Sequence, residues 1–188
     1  MNKIFIFCLF LSYSASAQTT HDPDSIKTLE NIIVKAYEQN RNLIDVAAPV
    51  SVTGQTQLNR FGNMSILPAL NITPGVSMEE RSPGSYRLNI RGSSLRSPFG
   101  VRNVKIYLNG IPLTDPNGNT YLSQLSFYNF NSIEIIKGPA SSLYGAGTGG
   151  AMLIHTLPTD WHEGVSLAYT TGSFNTNNIN VNVKTGDA

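Results

Sequence analysis

The sequence is poor in thiols, in charge and in long apolar runs, and each shortage removes a class of function. Its 188 residues carry one cysteine, Cys8. That residue lies in an N-terminal stretch that reads as a secretory signal. Lys3 supplies the positive start, Ile4 to Leu11 the apolar segment, and Ala15-Ser16-Ala17 a small-residue cleavage site before Gln18. A lipoprotein anchor at Cys8 would leave too short an apolar stretch before the cut and is rejected. Removal of residues 1–17 therefore gives an exported chain with no thiol, which excludes disulfides and thiolate catalysis. Charged residues make up 13% of the chain, about half the usual share for a soluble protein. Thirteen basic residues face twelve acidic ones, and the loss of Lys3 with the signal brings the formal charge from +1 to zero. That balance gives no electrostatic footprint for nucleic acid. After the signal, no apolar run approaches the roughly 18 residues of a membrane helix.

Catalytic groups are equally sparse. His21, His155 and His162 have no metal-ligand spacing, and no G-x-S-x-G elbow occurs. Glu79-Glu80, beside Arg81, reads as a solvated strand end rather than an acid/base pair. The expectation is a protein that is not an enzyme, with no catalytic residues, no protein-bound metal and no cofactor. The glycine-rich stretch from Ser132 to Gly150 raises the possibility of a phosphate loop, but such a loop needs a following Lys-Ser/Thr and a helix. Here Gly150 leads into Ala151-Met152-Leu153-Ile154-His155-Thr156, which is strand-like. Glycines between two strands are instead expected to permit close backbone packing or tight turns.

With 16 glycines and 10 prolines the chain is loop-rich and leans towards β structure. Gln18 to Lys27 is polar. Leu29-Glu30-Asn31-Ile32-Ile33-Val34-Lys35-Ala36 is a β-prone island between polar segments, so it is either a strand seeking a partner edge or the first strand of the domain. Residues 18–47 are expected to form a flexible lead containing that island, and the compact domain to run over residues 48–157. Within it, short strands are expected at Val50 to Val52, Leu88 to Arg91, Val104 to Leu108, Ile111 to Leu113, Ile133 to Ile136 and Ala151 to Thr156. Short helical pieces are expected at Ser65 to Leu70 and Leu122 to Phe130. Pro74-Gly75 and Asn109-Gly110 mark turns, and the whole reads as a small α+β domain.

Residues 158–188 change character. Val165, Leu167 and Tyr169 alternate with Ser166, Ala168 and Thr170; Ile179, Val181 and Val183 alternate with Asn180, Asn182 and Lys184. Two such strands around a turn at Gly172 to Asn175 have one apolar and one polar face. Asparagine at the inward positions suits a wall with lipid outside and a wet interior, and the chain reads as a fragment of a longer protein.

Several ordered motifs carry a resemblance. Leu67-Pro68-Ala69-Leu70 with Thr73-Pro74-Gly75-Val76 is similar to an "L-x-x-x-P-G-V" element. Leu88-Asn89-Ile90-Arg91-Gly92 is similar to an "I-R-G" strand, and Val104 to Pro112 to a "v-x-v-x-x-D-G-v-P" hairpin with Asn109 for aspartate. Ser132 to Gly150 is similar to "I-E-V-x-R-G-P-x-x-x-x-Y-G…G-G" with Lys137 for arginine. Together they resemble the plug domain of TonB-dependent outer-membrane receptors. The resemblance implies an α+β plug followed by the first antiparallel strands of a transmembrane β-barrel of about 22 strands.

It also implies site residues and partners. Leu29 to Ala36 would be a TonB box, with Lys35 in place of the usual threonine, adding as a strand to an edge of periplasmic TonB. Ala36 to Pro49 would be a tether of about 13 residues, reaching at most roughly 45 Å when extended. Arg91 and Lys137 would be plug cations that pair with acidic barrel residues. Gly92, Gly110, Gly138, Gly145 and Gly150 would be structural. Ligand contact would fall on outward loops, at Arg81, Ser82, Tyr86, Arg96, Ser97, Phe99, Asp115, Asn117, Asn119 and Tyr121, with Arg87 and Arg102 nearby. Arginine suits the carboxylate or phosphate groups of an anionic chelate, though it equally suits pairing with a barrel wall.

The implied function is import across the cell outer membrane of a ferric siderophore or ferric citrate-like chelate. Iron would be present only as part of the transported chelate. The partners would be TonB with its inner-membrane energising complex, outer-membrane lipid and the small-molecule metal chelate, with no nucleic acid. The N-terminus would be periplasmic and the plug would sit within the barrel. The alternatives are a receptor of the same class for cobalamin or another nutrient, and a secreted soluble ligand-binding module.

Overall fold

Runs of aliphatic and β-branched residues set the strands, and glycine, proline and asparagine set the turns between them. The computed structural model describes residues 32–62, 64–93, 101–138, 140–145, 147, 149–157 and 162–186. The signal segment (residues 1–17), Leu29 to Asn31 of the β-prone island, and Arg96, Ser97 and Phe99 of the candidate ligand loop lie outside these residues. Among the described residues no helix is long and apolar enough to cross a membrane, which has no bearing on strands.

The central sheet has five strands in the order β3-β8-β9-β6-β7, namely Val50–Gly54, Ser132–Lys137, Gly150–His155, Val104–Leu108 and Ile111–Pro112. Neighbours are antiparallel except β6 and β9, which run parallel with Ile106 opposite Met152. The tight turn at Asn109-Gly110 joins β6 to β7; Asn109 takes φ 49° and Gly110 φ 84°. A side-chain clasp secures it: the Asn109 amide donates to Thr156 Oγ1 at 2.7 Å, and Thr156 N–H donates back to Asn109 Oδ1 at 3.0 Å.

Both faces of this sheet are covered. Ile133 and Ile135 of β8, Met152 and Ile154 of β9, and Val104 and Ile106 of β6 point into the larger core. It is closed by the helix Leu67–Asn71 (α2) and by a second hairpin, β4 (Val76–Ser82) with β5 (Ser85–Ile90). Asn71, at the end of α2, acts as a surrogate strand partner for Met78: its amide donates to Met78 O at 3.0 Å and its oxygen accepts from Met78 N–H at 2.7 Å. A short helix α1 (Gln55–Arg60) leaves β3, and Gln57 accepts the Gly54 N–H at 3.1 Å. Leu122 to Phe130 forms two separate 3-10 turns, Leu122–Gln124 and Phe127–Asn129, rather than one helical piece.

The opposite face carries Ile136, Ala151 and Leu153, and it is here that the chain departs from expectation. Residues 32–47, expected to be a flexible lead and an extended tether, pack on that face. Two-residue strands β1 (Ile33–Val34) and β2 (Arg41–Asn42) pair antiparallel, 3-10 turns follow each of them, and Val34 and Ala36 are fully buried with Tyr144 of the short helix α3 (Ser141–Tyr144). The reading of this island as a first strand of the domain describes the geometry better than a free strand does. The physical reason is that an uncovered apolar sheet face is costly, and Val34 and Ala36 cover it.

Strands β10 (Gly164–Gly172) and β11 (Thr176–Lys184) form an antiparallel hairpin with Leu167 opposite Val181. The turn places Phe174 and Asn175 both at φ 58°.

Candidate functional site

The described parts of the candidate site fall into three places. The first is the pair of cations. Arg91 follows β5 at φ 51°, its N–H donating to Gly75 O at 2.8 Å. Lys137 ends β8, and its Nζ donates to Pro74 O at 2.6 Å. The Pro74-Gly75 turn therefore brings the two cations together beside Gly138, although 46 residues of sequence separate them. Burial, and then the charge of Arg91, push Lys137 below the ordinary lysine range. Two like charges held together repel, and an anion close by would relieve that repulsion.

The second is the outward loops. Asp115 to Asn119 forms a closed turn in which Asp115 Oδ1 accepts the Asn119 N–H at 2.7 Å and Asp115 N–H donates to Asn119 O at 2.8 Å. Arg102 reaches across to Asn117 O at 3.1 Å, and Val101 bridges Thr120. Asn117 and Tyr121 are exposed; Asp115 spends one carboxylate oxygen on its own loop. Arg81 and Ser82 are exposed at the end of β4. Tyr86 is turned towards the core: its ring packs edge-on against Phe127 at 6.0 Å. Burial, and then the Glu80 carboxylate, push its hydroxyl above the ordinary tyrosine range.

The third was not singled out from the sequence. Glu134 lies in the middle of β8 with its side chain 3% exposed. Its carboxylate accepts the Lys35 N–H (2.9 Å to Oε1, 3.0 Å to Oε2) and the Ala36 N–H (2.9 Å to Oε2). His155 Nε2 sits 3.3 Å from Glu134 Oε1 but off the line of a hydrogen bond. The next amide, Tyr37 N–H, donates to Tyr144 Oη at 2.7 Å, and Tyr107 Oη donates to Tyr144 O at 3.1 Å. A cavity of about 420 Å³ lies beside them, lined by Lys35, Tyr107, Tyr144 and His155 among others. The sequence signal was one acidic residue in the strand Ser132-Ile133-Glu134-Ile135-Ile136, whose two apolar faces otherwise leave no place for a charge. Of the TonB-box candidates described, Ile32, Ile33 and Lys35 are exposed while Val34 and Ala36 are buried.

The glycines do structural work of two kinds. Gly150, at φ 130°, sits so close to β8 that a Cβ there would collide with the Ile136 carbonyl oxygen. Gly92, Gly110 and Gly145 stand in turns with open space where a Cβ would be, and Gly138 lies against Arg91. Among the described residues no group of His, Cys, Asp or Glu could hold a metal ion.

On the hairpin the apolar face is exposed on both strands, and the polar face of β10 (Ser166, Ala168 and Thr170) is exposed as well. Val165, Leu167, Tyr169, Ile179, Val181 and Val183 are 61–74% exposed, whereas Asn178, Asn180 and Asn182 on the other face of β11 are half-buried.

Comparison with known proteins bears on this arrangement. The chain is similar in fold to FpvA of P. aeruginosa bound to a heterologous pyoverdine, with TM-score 0.61 and 17% identity over 80% of this chain and 20% of that one. It is also similar to the ferric-catecholate import receptor Fiu of E. coli K12 in its open form (0.58, 19%, 79% and 20%). A third likeness is to the siderophore receptor PiuA of Acinetobacter baumannii (0.55, 22%, 75% and 19%). The chain thus spans about a fifth of the length of these receptors. Residues 42–152, more than half of the chain, match the TonB-dependent Receptor Plug Domain family, so that β1 lies before the matched region and Glu134, Tyr144 and the paired cations within it. The chain belongs to the TonB-dependent receptor plug domain family, and its fold is an α+β plug followed by an antiparallel hairpin.

Proposed function

We propose that this plug closes a transmembrane β-barrel in the outer membrane, of which β10 and β11 are two strands, and that the whole protein imports a ferric siderophore or ferric citrate-like chelate. The observation that carries the reading is the patterning of the hairpin. Six large apolar side chains stand exposed along one face, opposite a face of serine, threonine and asparagine, which water does not favour and lipid does. In a barrel of about 22 strands a plug of this size leaves no open channel, so a solute enters only after capture by the outward loops.

Capture is assigned to Arg81, Ser82, Asn117, Asn119 and Tyr121, with Asp115 shaping their loop. Arg91 and Lys137 are assigned the plug–barrel contact, since two adjacent cations call for carboxylates from the wall. The β-prone island is assigned to TonB, whose inner-membrane complex supplies the force that moves the plug. The iron-bound pyoverdine of FpvA, the ferric catecholate named for Fiu and the siderophore named for PiuA support the choice of cargo. The test is growth of cells lacking the full-length protein on single iron chelates as the sole iron source. A defect on one chelate, restored by the gene, supports the reading. Normal growth on every chelate with a defect on cobalamin or another nutrient reassigns the cargo. Recovery of the protein as a soluble periplasmic species removes the barrel.

A further inference from the structure

The segment that would meet TonB has its donors already occupied. Three successive backbone N–H groups, those of Lys35, Ala36 and Tyr37, end on side chains of the plug: two on the Glu134 carboxylate and one on the Tyr144 hydroxyl. On the other side, Ile32 O accepts the Leu43 N–H at 2.8 Å, and Ile33 and Val34 face Asn42 and Arg41. Immediately after these donors, Tyr37 (φ 60°) and Glu38 (φ 57°) both take the left-handed region, which residues with a Cβ avoid. Two such residues in succession persist only while their surroundings hold them. Removing a bond therefore lets this turn relax to an open backbone.

We propose that Glu134 is an internal competitor for strand addition: its carboxylate takes the main-chain donors at the end of the β-prone island, and the segment becomes available to a partner strand only when Glu134 lets go. Glu134 serves this role because its side chain is fixed within a central strand and almost sealed from water, and both its oxygens accept from the segment's N–H groups. Tyr144 seconds it at the next residue. A pull from the N-terminal side loads the Ile32–Leu43 bond and the β1–β2 pairing and then the latch, which carries the load to the middle of β8. The proposal rests on the TonB reading above for the identity of the partner, but not for the existence of the latch.

The test uses the full-length protein in detergent, with a nitroxide on Ile33→Cys; residues 18–188 hold no other cysteine. Glu134→Gln preserves volume but replaces one acceptor oxygen with a donor. Tyr144→Phe removes the second acceptor without touching a charge. Losing one charge-assisted hydrogen bond shifts an equilibrium by about tenfold, so the expected results are narrowed nitroxide lines and about tenfold tighter binding of the periplasmic domain of TonB. Tyr144→Phe should give a smaller change in the same direction. A label on Ser166→Cys in β10, unchanged by either substitution, shows that the rest of the protein is intact. Nitroxide lines at residue 33 that match the parent in both variants overturn the latch. Narrowed lines with TonB affinity unchanged overturn the competition. Narrowed lines with TonB bound by neither form support the latch and refute the TonB reading instead.

Discussion

Gly150→Ala separates the two uses that this chain makes of glycine. At position 150 the backbone has φ 130°, and the new Cβ would run into the Ile136 carbonyl oxygen of the neighbouring strand and crowd Gly138. Backbone strain of this kind costs about 1–3 kcal/mol, and forcing a carbon into a filled space costs about as much again. At Gly110 the backbone is also left-handed, at φ 84°, but nothing lies within 4 Å of a Cβ. Gly110→Ala should therefore cost about 1–2 kcal/mol of strain alone. The difference of roughly 2 kcal/mol corresponds to about a thirtyfold change in an opening equilibrium. It should appear as hydrogen–deuterium exchange across β8 and β9, where the Lys137 N–H is held by Pro49 O and the Gly138 N–H by Gly149 O. In the full-length protein, exchange in 132–138 should rise far more for Gly150→Ala than exchange in 104–112 rises for Gly110→Ala. Equal effects, or a larger one at Gly110, would refute the close-packing argument.

Two further outcomes are expected. Tyr86 has its hydroxyl pushed above the ordinary value of 10.0 by burial first and by Glu80 second. Its contribution is therefore intact below pH 10 and is lost as pH rises beyond it; thermal melts should weaken above pH 10 in the parent and less so in Tyr86→Phe. On the hairpin, Leu167→Arg should lower the stability of the protein in lipid by about 2–4 kcal/mol if residue 167 lies near the midplane. Ala168→Arg, on the opposite face, should cost much less in the same denaturant titration in vesicles.

Much of the sheet could be read from the chain because its signals are local. Val104 to Leu108, the Asn109-Gly110 turn, Ile133 to Ile136 and Ala151 to Thr156 are short β-branched or aliphatic runs bounded by turn residues, and each becomes a strand or turn of the central sheet. The two strands of the hairpin and their apolar and polar faces followed from the period of two, whereas the register is fixed by the turn. Strand β4 escaped because Glu79-Glu80-Arg81 reads as a solvated end, whereas only Val76 and Met78 need face inward for it to pair with β5. Helices α1 and α3 are too short for a helical period to show. The docking of residues 32–47 could not be read locally at all: Val34 and Ala36 are apolar enough for either a free strand or a buried one. The acceptor that decides between them, Glu134, lies 98 residues or more away in sequence.

The central claim is that the exposed apolar face of β10–β11 meets lipid. A photoreactive side chain placed in turn at Leu167, Val181, Ala168 and Asn180 of the full-length protein in native outer membranes tests it directly. Crosslinks to lipid at 167 and 181, and none at 168 and 180, are the expected result; crosslinks to protein or water alone at 167 and 181 would contradict it.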